Sequence, residues 1–314
     1  MKKKKLVVLT GPTAVGKTSL SIALAKRIGG EIISADSAQV YKHMDIGSAK
    51  IRTEEMDGIP HYLIDELEPS EEFNVVVFQQ KTKQYMQDIY ERGHIPILVG
   101  GTGFYIQSVL YDINFSIDDD NHQIREELEK LASEKGPEYM HDELRKIDPA
   151  SADAIHANNV KRVIRALEYY KLTGQKISEH NEEQRQKESP YDFTYFVLND
   201  QRELLYERID KRVDEMIAEG LAEEVKSLKE MGYDRSYVSM QALGYKEILS
   251  FLEDEITLDE AAYIIKRDTR HFAKRQITWF KREKEVIWVN KPEFDYDNEK
   301  ILDFMYQHIY PHSE

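Results

Sequence analysis

The sequence predicts an α/β protein in which a parallel β-sheet is flanked by helices and an all-α domain is inserted. Short apolar runs such as residues 6–9 are typical of strands buried in a parallel sheet. These runs lead through polar or glycine-rich turns into helical periodicity, which is the order of a β–α unit. By contrast, residues from about 116 to 190 are charged, helical in period and poor in strand formers. We therefore predict a core formed by residues 1–115 and 191–314, with a helical insertion at 116–190.

Length and composition limit the kind of protein. A chain of 314 residues can form one large or two modest domains. It contains no cysteine, which excludes a disulfide framework and a thiolate metal site and fits a cytoplasmic location. No stretch approaches transmembrane length, so we expect no association with a membrane. The formal net charge of −15 argues against binding nucleic acid by bulk charge, but it allows a local basic groove.

The first apolar run leads into the motif G-x-x-x-x-G-K-[ST], which is typical of the phosphate-binding loop of P-loop NTPases. Backbone N–H groups of such a loop, and the N-terminus of the helix that follows, bind the phosphates of ATP or of another polyphosphate. We expect the Lys17 ammonium to contact the terminal phosphate and the Thr18 hydroxyl to help hold Mg²⁺. The loop does not identify the polyphosphate. Its residues are Gly11, Pro12, Thr13, Ala14, Val15, Gly16, Lys17 and Thr18.

A second predicted strand, residues 31–36, ends in a polar cluster. A carboxylate there lies on the ligand-binding edge of the sheet, so Asp36 can act as an acid/base or as a ligand to metal-bound water. An Asp-Ser pair is also common as a helix cap or turn, and position alone does not decide between these roles. Residues 61–65 predict a third short strand, whose terminal Asp65 is open to interpretation as part of a second nucleotide motif.

A second glycine-rich turn follows the next strand. Helical periodicity at 74–92 precedes an apolar strand at 95–99, the turn at 100–105 and a helix at 106–111. Three glycines in the turn allow the backbone to approach a ligand closely, and Thr102 offers a hydroxyl. A tight turn without a ligand is the alternative. We favour ligand binding because this turn shares a sheet edge with the first loop.

The helical insertion contains a basic cluster. Before it, the three aspartates at 118–120 predict a solvated turn that caps the next helix. Farther along, Lys161, Arg162 and Arg165 lie on neighbouring faces of a predicted helix. In an acidic chain such a cluster indicates contact with phosphates, and a solvated helix with Glu168 as a partner is the alternative.

After the insertion, a predicted strand at 192–198 precedes a long helix at 203–219. Arg208 and Arg212 lie one turn apart on this helix, so both can face one site. Further helices are predicted at 221–231 and from residues 240–245 onward. The helix predicted at 257–285 carries many basic residues interleaved with aromatic ones, which is the strongest indication of nucleic-acid binding in the chain. A last strand is predicted at 286–289.

Taken together, these motifs resemble the bacterial tRNA dimethylallyltransferase (isopentenyltransferase) family over nearly the whole chain. The segments that carry the resemblance follow one another in the family's order, at residues 11–18, 36–41, 100–105, 162–167 and 274–280. Residues 61–65 also resemble a family segment, which weakens their interpretation as a nucleotide motif. One departure is Lys161, where the family commonly has Gln.

The resemblance implies transfer of a dimethylallyl group from dimethylallyl diphosphate to the exocyclic amine of the adenosine immediately 3′ of the anticodon. It implies Mg²⁺ as the cofactor and the tRNA anticodon stem-loop as the partner, and we expect a monomer. It also implies catalytic roles. Asp36 accepts the amine proton, Thr102 orients the reacting groups, and Arg208 clamps the diphosphate with Arg212 as a second cation. The residues implied to contact tRNA are Asp36, Ser37, Ala38, Gln39, Lys161, Arg162, Val163, Ile164, Arg165, Met240, Gln241, Ala242, Leu243, Gly244 and Tyr245.

Two other functions are compatible with the phosphate loop. A P-loop small-molecule kinase would use the insertion as an arginine-bearing lid, but it explains neither the basic C-terminal helix nor the turn at 100–105. A nucleotide-switched RNA-binding module would bind RNA in a nucleotide-dependent way and leave it unmodified. Only the transferase accounts for all of the motifs, and we expect that activity.

Overall fold

The computed structural model describes residues 3–115 and 122–311. Within them lies one parallel sheet, with the strands β1 (Lys4–Thr10), β2 (Gly30–Ala35), β3 (His61–Tyr62), β4 (Ile95–Gly100), β5 (Tyr191–Asn199) and β6 (Val286–Asn290). The strand order is β3-β2-β4-β1-β5-β6, and every neighbouring pair is parallel. The predicted α/β class is therefore confirmed.

The helices connect and cover these strands. They are α1 (Lys17–Ile28), α2 (Val75–Glu91), α3 (Gly103–Leu110), α4 (His122–Lys135), α5 (Pro137–Ile147), α6 (Pro149–Ala154), α7 (Val160–Thr173), α8 (Ile177–Gln186), α9 (Arg202–Glu219), α10 (Leu221–Glu230), α11 (Tyr245–Leu252), α12 (Leu258–Phe280) and α13 (Asn298–Ile309). Among the described residues, every helix is too short or too polar to cross a membrane.

Local capping explains where the helices begin. The Asn74 side chain accepts hydrogen bonds from the N–H groups of Val76 and Val77 at 2.9 and 3.0 Å, which starts α2. Thr257 and Glu260 form a capping box at the start of α12. Two predicted helix ends are wrong by a few residues. The helix predicted at 106–111 is α3, which begins at Gly103, and the helix predicted at 257–285 is α12, which ends at Phe280.

Strand register brings the predicted loops to one edge of the sheet. Thr10 at the end of β1 pairs with Gly100 at the end of β4, and Ala35 at the end of β2 pairs with the same Gly100. Apolar side chains from β1, β4 and β5 are fully buried beneath this edge, among them Val7, Leu9, Ile97, Phe196 and Leu198. Because parallel strands end on the same side, the loops at 11–18, 36–41 and 100–105 start next to one another.

The chain forms two compact units, and the second is Tyr111–Ser189. Its helices, α4 to α8, enclose a core that includes the fully buried Met140, Leu144 and Val163. The buried Glu168 carboxylate accepts hydrogen bonds from Arg125 and Arg165. Burial by itself would raise the pKa of Glu168, but these two arginines outweigh it and lower that pKa. The aspartates at 118–120 and the predicted insertion start at 116 lie outside the described residues.

Candidate active site

The loop between β1 and α1 has the backbone of an anion-binding turn. Gly11 has a φ of 151°, and a Cβ at this position would lie 2.5 Å from the Leu198 carbonyl oxygen, so only glycine fits. Gly16, with a φ of 93°, is the N-cap of α1 and provides no side chain to cap the first N–H groups of the helix. These N–H groups and the positive end of the helix dipole can therefore face an anion.

Lys17 is held against its own loop. Its Nζ donates hydrogen bonds to the carbonyl oxygens of Gly11 and Pro12 at 3.1 and 2.9 Å. Burial lowers the pKa of Lys17 to about 8, the negative charge of Asp36 opposes this change, and the positive charge of Arg212 adds to it. Carbonyl oxygens neutralise an ammonium only in part, so the arrangement favours the arrival of an anion.

Asp36 follows β2 and is half-buried. Its Oδ1 accepts a 2.9 Å hydrogen bond from the Ala38 N–H, which is the turn role that the sequence left open. The same carboxylate is close enough to Lys17 and Arg212 to favour the charged form of both. Asp36 is thus a turn residue and also the carboxylate that faces the cations of the loop.

The second glycine turn packs against both β2 and α12. The Thr102 N–H donates to the Ala35 carbonyl oxygen at 3.2 Å. A Cβ at Gly101 would overlap the Gln276 amide, so close packing by itself requires a glycine there. The Gln276 Oε1 accepts a 2.9 Å hydrogen bond from the Thr13 N–H, and its Nε2 donates to the Gly101 carbonyl oxygen at 3.1 Å. The half-buried Thr102 therefore lies in a turn that the Gln276 side chain connects to the phosphate loop.

The two predicted arginines of α9 have different surroundings. The Arg208 Nη1 lies 2.5 Å from the Asp200 Oδ2, and the Asp200 side chain is fully buried. Burial lowers the pKa of Arg212, while the negative charges of Asp36 and Glu215 oppose that change. Arg212 is therefore attracted electrostatically to the Asp36 carboxylate and repelled by the Lys17 ammonium. By contrast, Arg208 is anchored by an ion pair.

Among the residues that follow Asp36, Gln39 makes hydrogen bonds that stabilise the fold. Ser34 Oγ donates to the Gln39 Oε1 at 3.1 Å, and the Gln39 Nε2 donates to the Ser48 and Ala49 carbonyl oxygens at 3.4 and 3.3 Å. The side-chain polar atoms of Gln39, which the resemblance implied to contact tRNA, are therefore already bonded within the protein. Ser37 is exposed, and Ala38 is half-buried.

The segment at 240–245 is mainly structural. Met240 and Tyr245 are fully buried, so their side chains belong to the core, and contact of this segment with tRNA stays a prediction. The Tyr245 hydroxyl donates to the Glu224 carboxylate at 2.7 Å, and that carboxylate also accepts the N–H groups of residues 45–47. Within the segment Gln241 is exposed, Ala242 and Leu243 are half-buried, and Gly244 is buried. Tyr245 therefore supports the loop that holds Gln39.

Helix α7 contains both core and surface residues of the predicted tRNA cluster. Val163 and Ile164 are 0% and 6% exposed and belong to the core of the helical unit, so their side chains are used by the fold, and contact of this segment with tRNA stays a prediction. Lys161 and Arg162 are exposed. The Arg165 Nη1 donates to the Glu168 Oε2 at 2.9 Å, so the ion pair considered as the alternative is present.

The exposed side of α12 forms a basic depression of about 430 Å³. Its lining residues recur every three or four positions, as expected for one helix face. They are His271, Lys274, Arg275, Thr278, Trp279 and Arg282. Concentrating cations on one face, in a chain whose net charge is −15, provides the local basic surface that a polyanion requires.

A magnesium site at the loop would use few protein ligands. Among the described residues, no group of three or more His, Asp or Glu side chains is arranged to hold a metal. Mg²⁺ bound with a phosphorylated substrate usually takes one or two protein oxygens, the phosphates and several waters. The exposed Thr18 hydroxyl at the start of α1 and the Asp36 carboxylate are oxygen donors of the kind that Mg²⁺ prefers.

Sequence reasoning assigned no role to Gln276 or to Lys291. Gln276 lies within the 274–280 motif, but only the packing of α12 shows that it bonds two loops. Lys291 follows β6, and its Nζ lies 3.3 Å from the Val15 carbonyl oxygen. Position at the carboxyl end of a parallel strand was the available signal for Lys291.

Comparison with known proteins identifies the family. A model described as IPP transferase matches residues 39–283. The chain is 63% identical over 292 residues to a tRNA dimethylallyltransferase of Lachnoclostridium phytofermentans, covering 93% of each. A full-length tRNA isopentenylpyrophosphate transferase of Bacillus halodurans is similar at 46% identity and a TM-score of 0.73, covering 98% of this chain and 97% of that one. A eukaryotic dimethylallyltransferase acting on tRNA is similar at 31% identity and a TM-score of 0.82, covering 99% and 80% respectively. As the sequence predicts, the chain belongs to the IPP transferase family of tRNA dimethylallyltransferases.

Proposed function

We propose that this chain transfers a dimethylallyl group from dimethylallyl diphosphate to the exocyclic amine of the adenosine immediately 3′ of the anticodon in tRNA. The observation that carries the proposal is the gathering of Lys17, Arg212 and Asp36 around a phosphate loop, where the negative charge of Asp36 favours the charged forms of Lys17 and Arg212. The relatives are transferases that act on tRNA. They support neither a small-molecule kinase nor a nucleotide-switched RNA-binding module.

The loop serves the leaving group. An adenine amine is a weak nucleophile because its lone pair is delocalised into the ring, so the allylic C–O bond must weaken as the new C–N bond forms. The departing diphosphate takes the electron pair of the C–O bond. The charge that develops on the diphosphate is neutralised by the loop N–H groups, by Lys17 and by Arg212. Arg208, which is held in an ion pair with Asp200, adds further positive charge.

Asp36 and Thr102 serve the nucleophile. After the amine attacks, it carries an extra proton, which passes to the Asp36 carboxylate. Thr102, at the start of the turn bonded to β2, orients the amine or the diphosphate through its hydroxyl. Asp36 follows the end of β2 and Thr102 follows the end of β4, and these two strand ends are paired. The two side chains therefore start close together, and group transfer needs such proximity between the reacting groups.

Mg²⁺ completes the diphosphate site. Thr18 is the residue that would hold it, with the Asp36 carboxylate in contact only through a metal-bound water. When bound, the metal ion withdraws electron density from the diphosphate and makes it a better leaving group. By the same chemistry the loop can hold the phosphates of ATP, so we expect ATP to compete with dimethylallyl diphosphate and not to replace it.

The tRNA is bound through its backbone. The basic face of α12 suits phosphate contacts, and Lys161 and Arg162 of the helical unit offer further cations. The target base must leave the anticodon stack to reach the loop edge, where Ser37 is exposed. We further propose that the enzyme acts as a monomer in the cytoplasm, which light scattering and cell fractionation can test.

The decisive experiment combines both substrates. The protein is incubated with an anticodon stem-loop RNA, dimethylallyl diphosphate and Mg²⁺, and the digested RNA is analysed by mass spectrometry. An adenosine that carries one five-carbon unit supports the proposal, provided that ATP cannot replace the diphosphate. Unmodified adenosine together with consumption of ATP would refute it and favour a kinase or a nucleotide switch.

A further inference from the structure

A second lysine reaches the phosphate loop from the opposite end of the chain. The Lys291 Nζ donates a 3.3 Å hydrogen bond to the Val15 carbonyl oxygen. A Cβ at Gly16 would lie 3.3 Å from the same nitrogen, so the ammonium lies next to the N-cap residue of α1. Lys291 is therefore next to the backbone N–H groups that bind an anion in loops of this type.

The charge around Lys291 is incompletely balanced. Among the described residues, no carboxylate lies within ion-pair distance of its Nζ, which donates instead to a neutral carbonyl oxygen. Burial lowers the pKa of Lys291, the positive charge of Arg208 lowers it further, and Asp200 opposes both. A cation that is partly buried beside another cation is stabilised by a bound anion.

The turn that carries Lys291 is fixed by several hydrogen bonds. The Tyr296 N–H donates to the Lys291 carbonyl oxygen at 3.2 Å, and the Tyr296 hydroxyl donates to the Asp200 Oδ1 at 3.1 Å. The Asn199 side chain donates to the Asn290 Oδ1 at 3.0 Å. The backbone of this turn is thus anchored to the end of β5, and only the side chain of Lys291 has to move to change partners.

We propose that Lys291 is a diphosphate-binding residue whose Nζ leaves the Val15 carbonyl oxygen and donates to the diphosphate held by the loop. The inference rests on the proposed function, because it concerns the same diphosphate. A hydrogen bond between an ammonium and a phosphate oxygen is stronger than one to a neutral carbonyl, which supplies the driving force. With Lys291 the site has two cation pairs, Lys17 with Arg212 and Lys291 with Arg208.

The test measures binding of inorganic diphosphate in the presence of Mg²⁺ by calorimetry to the wild type and three variants. Lys291→Met should weaken binding about tenfold or more, as expected when a charge-assisted hydrogen bond is removed. Lys291→Arg should restore most of the affinity. Lys300→Met is the matched control, because it removes an exposed lysine that pairs with Asp295 in the same part of the chain. It should bind as the wild type does.

Steady-state kinetics add a readout that a structural role would not give. Lys291→Met should raise KM for dimethylallyl diphosphate, leave KM for the RNA unchanged and leave the melting temperature within error. Equal diphosphate affinity of Lys291→Met and wild type would overturn the inference, as would a lowered melting temperature that Lys291→Arg does not restore. Failure of the proposed function appears differently, as wild-type protein that forms no prenylated RNA although it binds diphosphate.

Discussion

Gln276, in the last turns of α12, accepts a 2.9 Å hydrogen bond from the Thr13 N–H in the phosphate loop. The same amide donates to the Gly101 carbonyl oxygen at 3.1 Å, so one buried side chain fixes the positions of two loops. Helix α12 therefore has two faces with different tasks. Its buried face positions the loop at 11–18 and the glycine turn at 100–105, and its exposed face presents a cluster of basic side chains.

Gln276→Leu should affect both stability and catalysis. It leaves the partly buried Thr13 N–H and the buried Gly101 carbonyl without this partner, so we expect the free energy of unfolding to fall by about 1–3 kcal/mol. We also expect KM for dimethylallyl diphosphate to rise several-fold, because Thr13 is no longer held. Gln79→Leu is the control, since Gln79 is as buried and bonds a backbone carbonyl of α3. Urea unfolding and kinetics are the measurements, and equal changes in KM for both variants would contradict the role of Gln276.

Two substitutions at Asp36 separate its turn role from its chemical role. Asp36→Asn keeps an oxygen that can accept from the Ala38 N–H but cannot take a proton, so transfer should fall by about 10²–10⁴-fold with the fold intact. Asp36→Ala should also abolish transfer while tRNA binding stays near normal. Product formation and binding of the stem-loop RNA are measured for both. Loss of RNA binding in the Ala variant would show that Asp36 acts mainly in the structure, and full transfer activity of the Asn variant would exclude Asp36 as the proton acceptor.

Arg162→Ala and Arg165→Ala should weaken tRNA binding for different reasons. Arg162 is exposed, so its removal should lower the slope of log K against log salt by about 0.7–0.9 for each phosphate that it neutralises. Arg165 pairs with the buried Glu168, so its removal should also destabilise the helical unit. Lys171→Ala, at an exposed position of the same helix, controls for net charge. An unchanged salt slope for Arg162→Ala would exclude this residue from the RNA interface.

The buried Glu31 should make stability depend on pH in the acid range. Burial by itself would raise its pKa, but hydrogen bonds from Arg92, Tyr62 and His94 outweigh burial and lower the pKa to about 2. Since the folded pKa lies below the unfolded value of 4.5, this stabilisation is present above about pH 4.5 and is lost as the pH falls toward 2.

Glu31→Gln should therefore lower the free energy of unfolding at pH 7 by about 2–4 kcal/mol, because the Arg92 guanidinium loses its carboxylate. The difference from wild type should shrink as the pH falls below 4.5. Urea unfolding between pH 3 and 7 measures it. The exposed Glu91→Gln is the control. A difference that stays constant down to pH 3 would show that ionisation of Glu31 contributes nothing.

Sequence motifs predict the chemistry of a protein better than they predict which of its side chains are exposed to solvent. The order of the motifs predicted the family, and the relatives confirm it. The residues that the resemblance implied to contact tRNA included Val163 and Tyr245, whose side chains are buried. A short motif records which residues occur together, but whether a given side chain faces solvent depends on the elements packed against it. Tyr245 is buried because it bonds Glu224 and packs on Gly47.

The sequence by itself determined the α/β class, the phosphate loop and the residues that follow β1, β2 and β4, because apolar runs and glycine spacing act over a few neighbouring positions. Only the tertiary structure decided that Gln276 and Lys291, more than 250 residues along the chain from Thr13 and Val15, bond to the loop. Such long-range bonds depend on strand order, which places β5 beside β1 and β6 beside β5, and on the packing of α12 against the glycine turn. No local pattern encodes that order, because it results from burying the apolar faces of all elements at once.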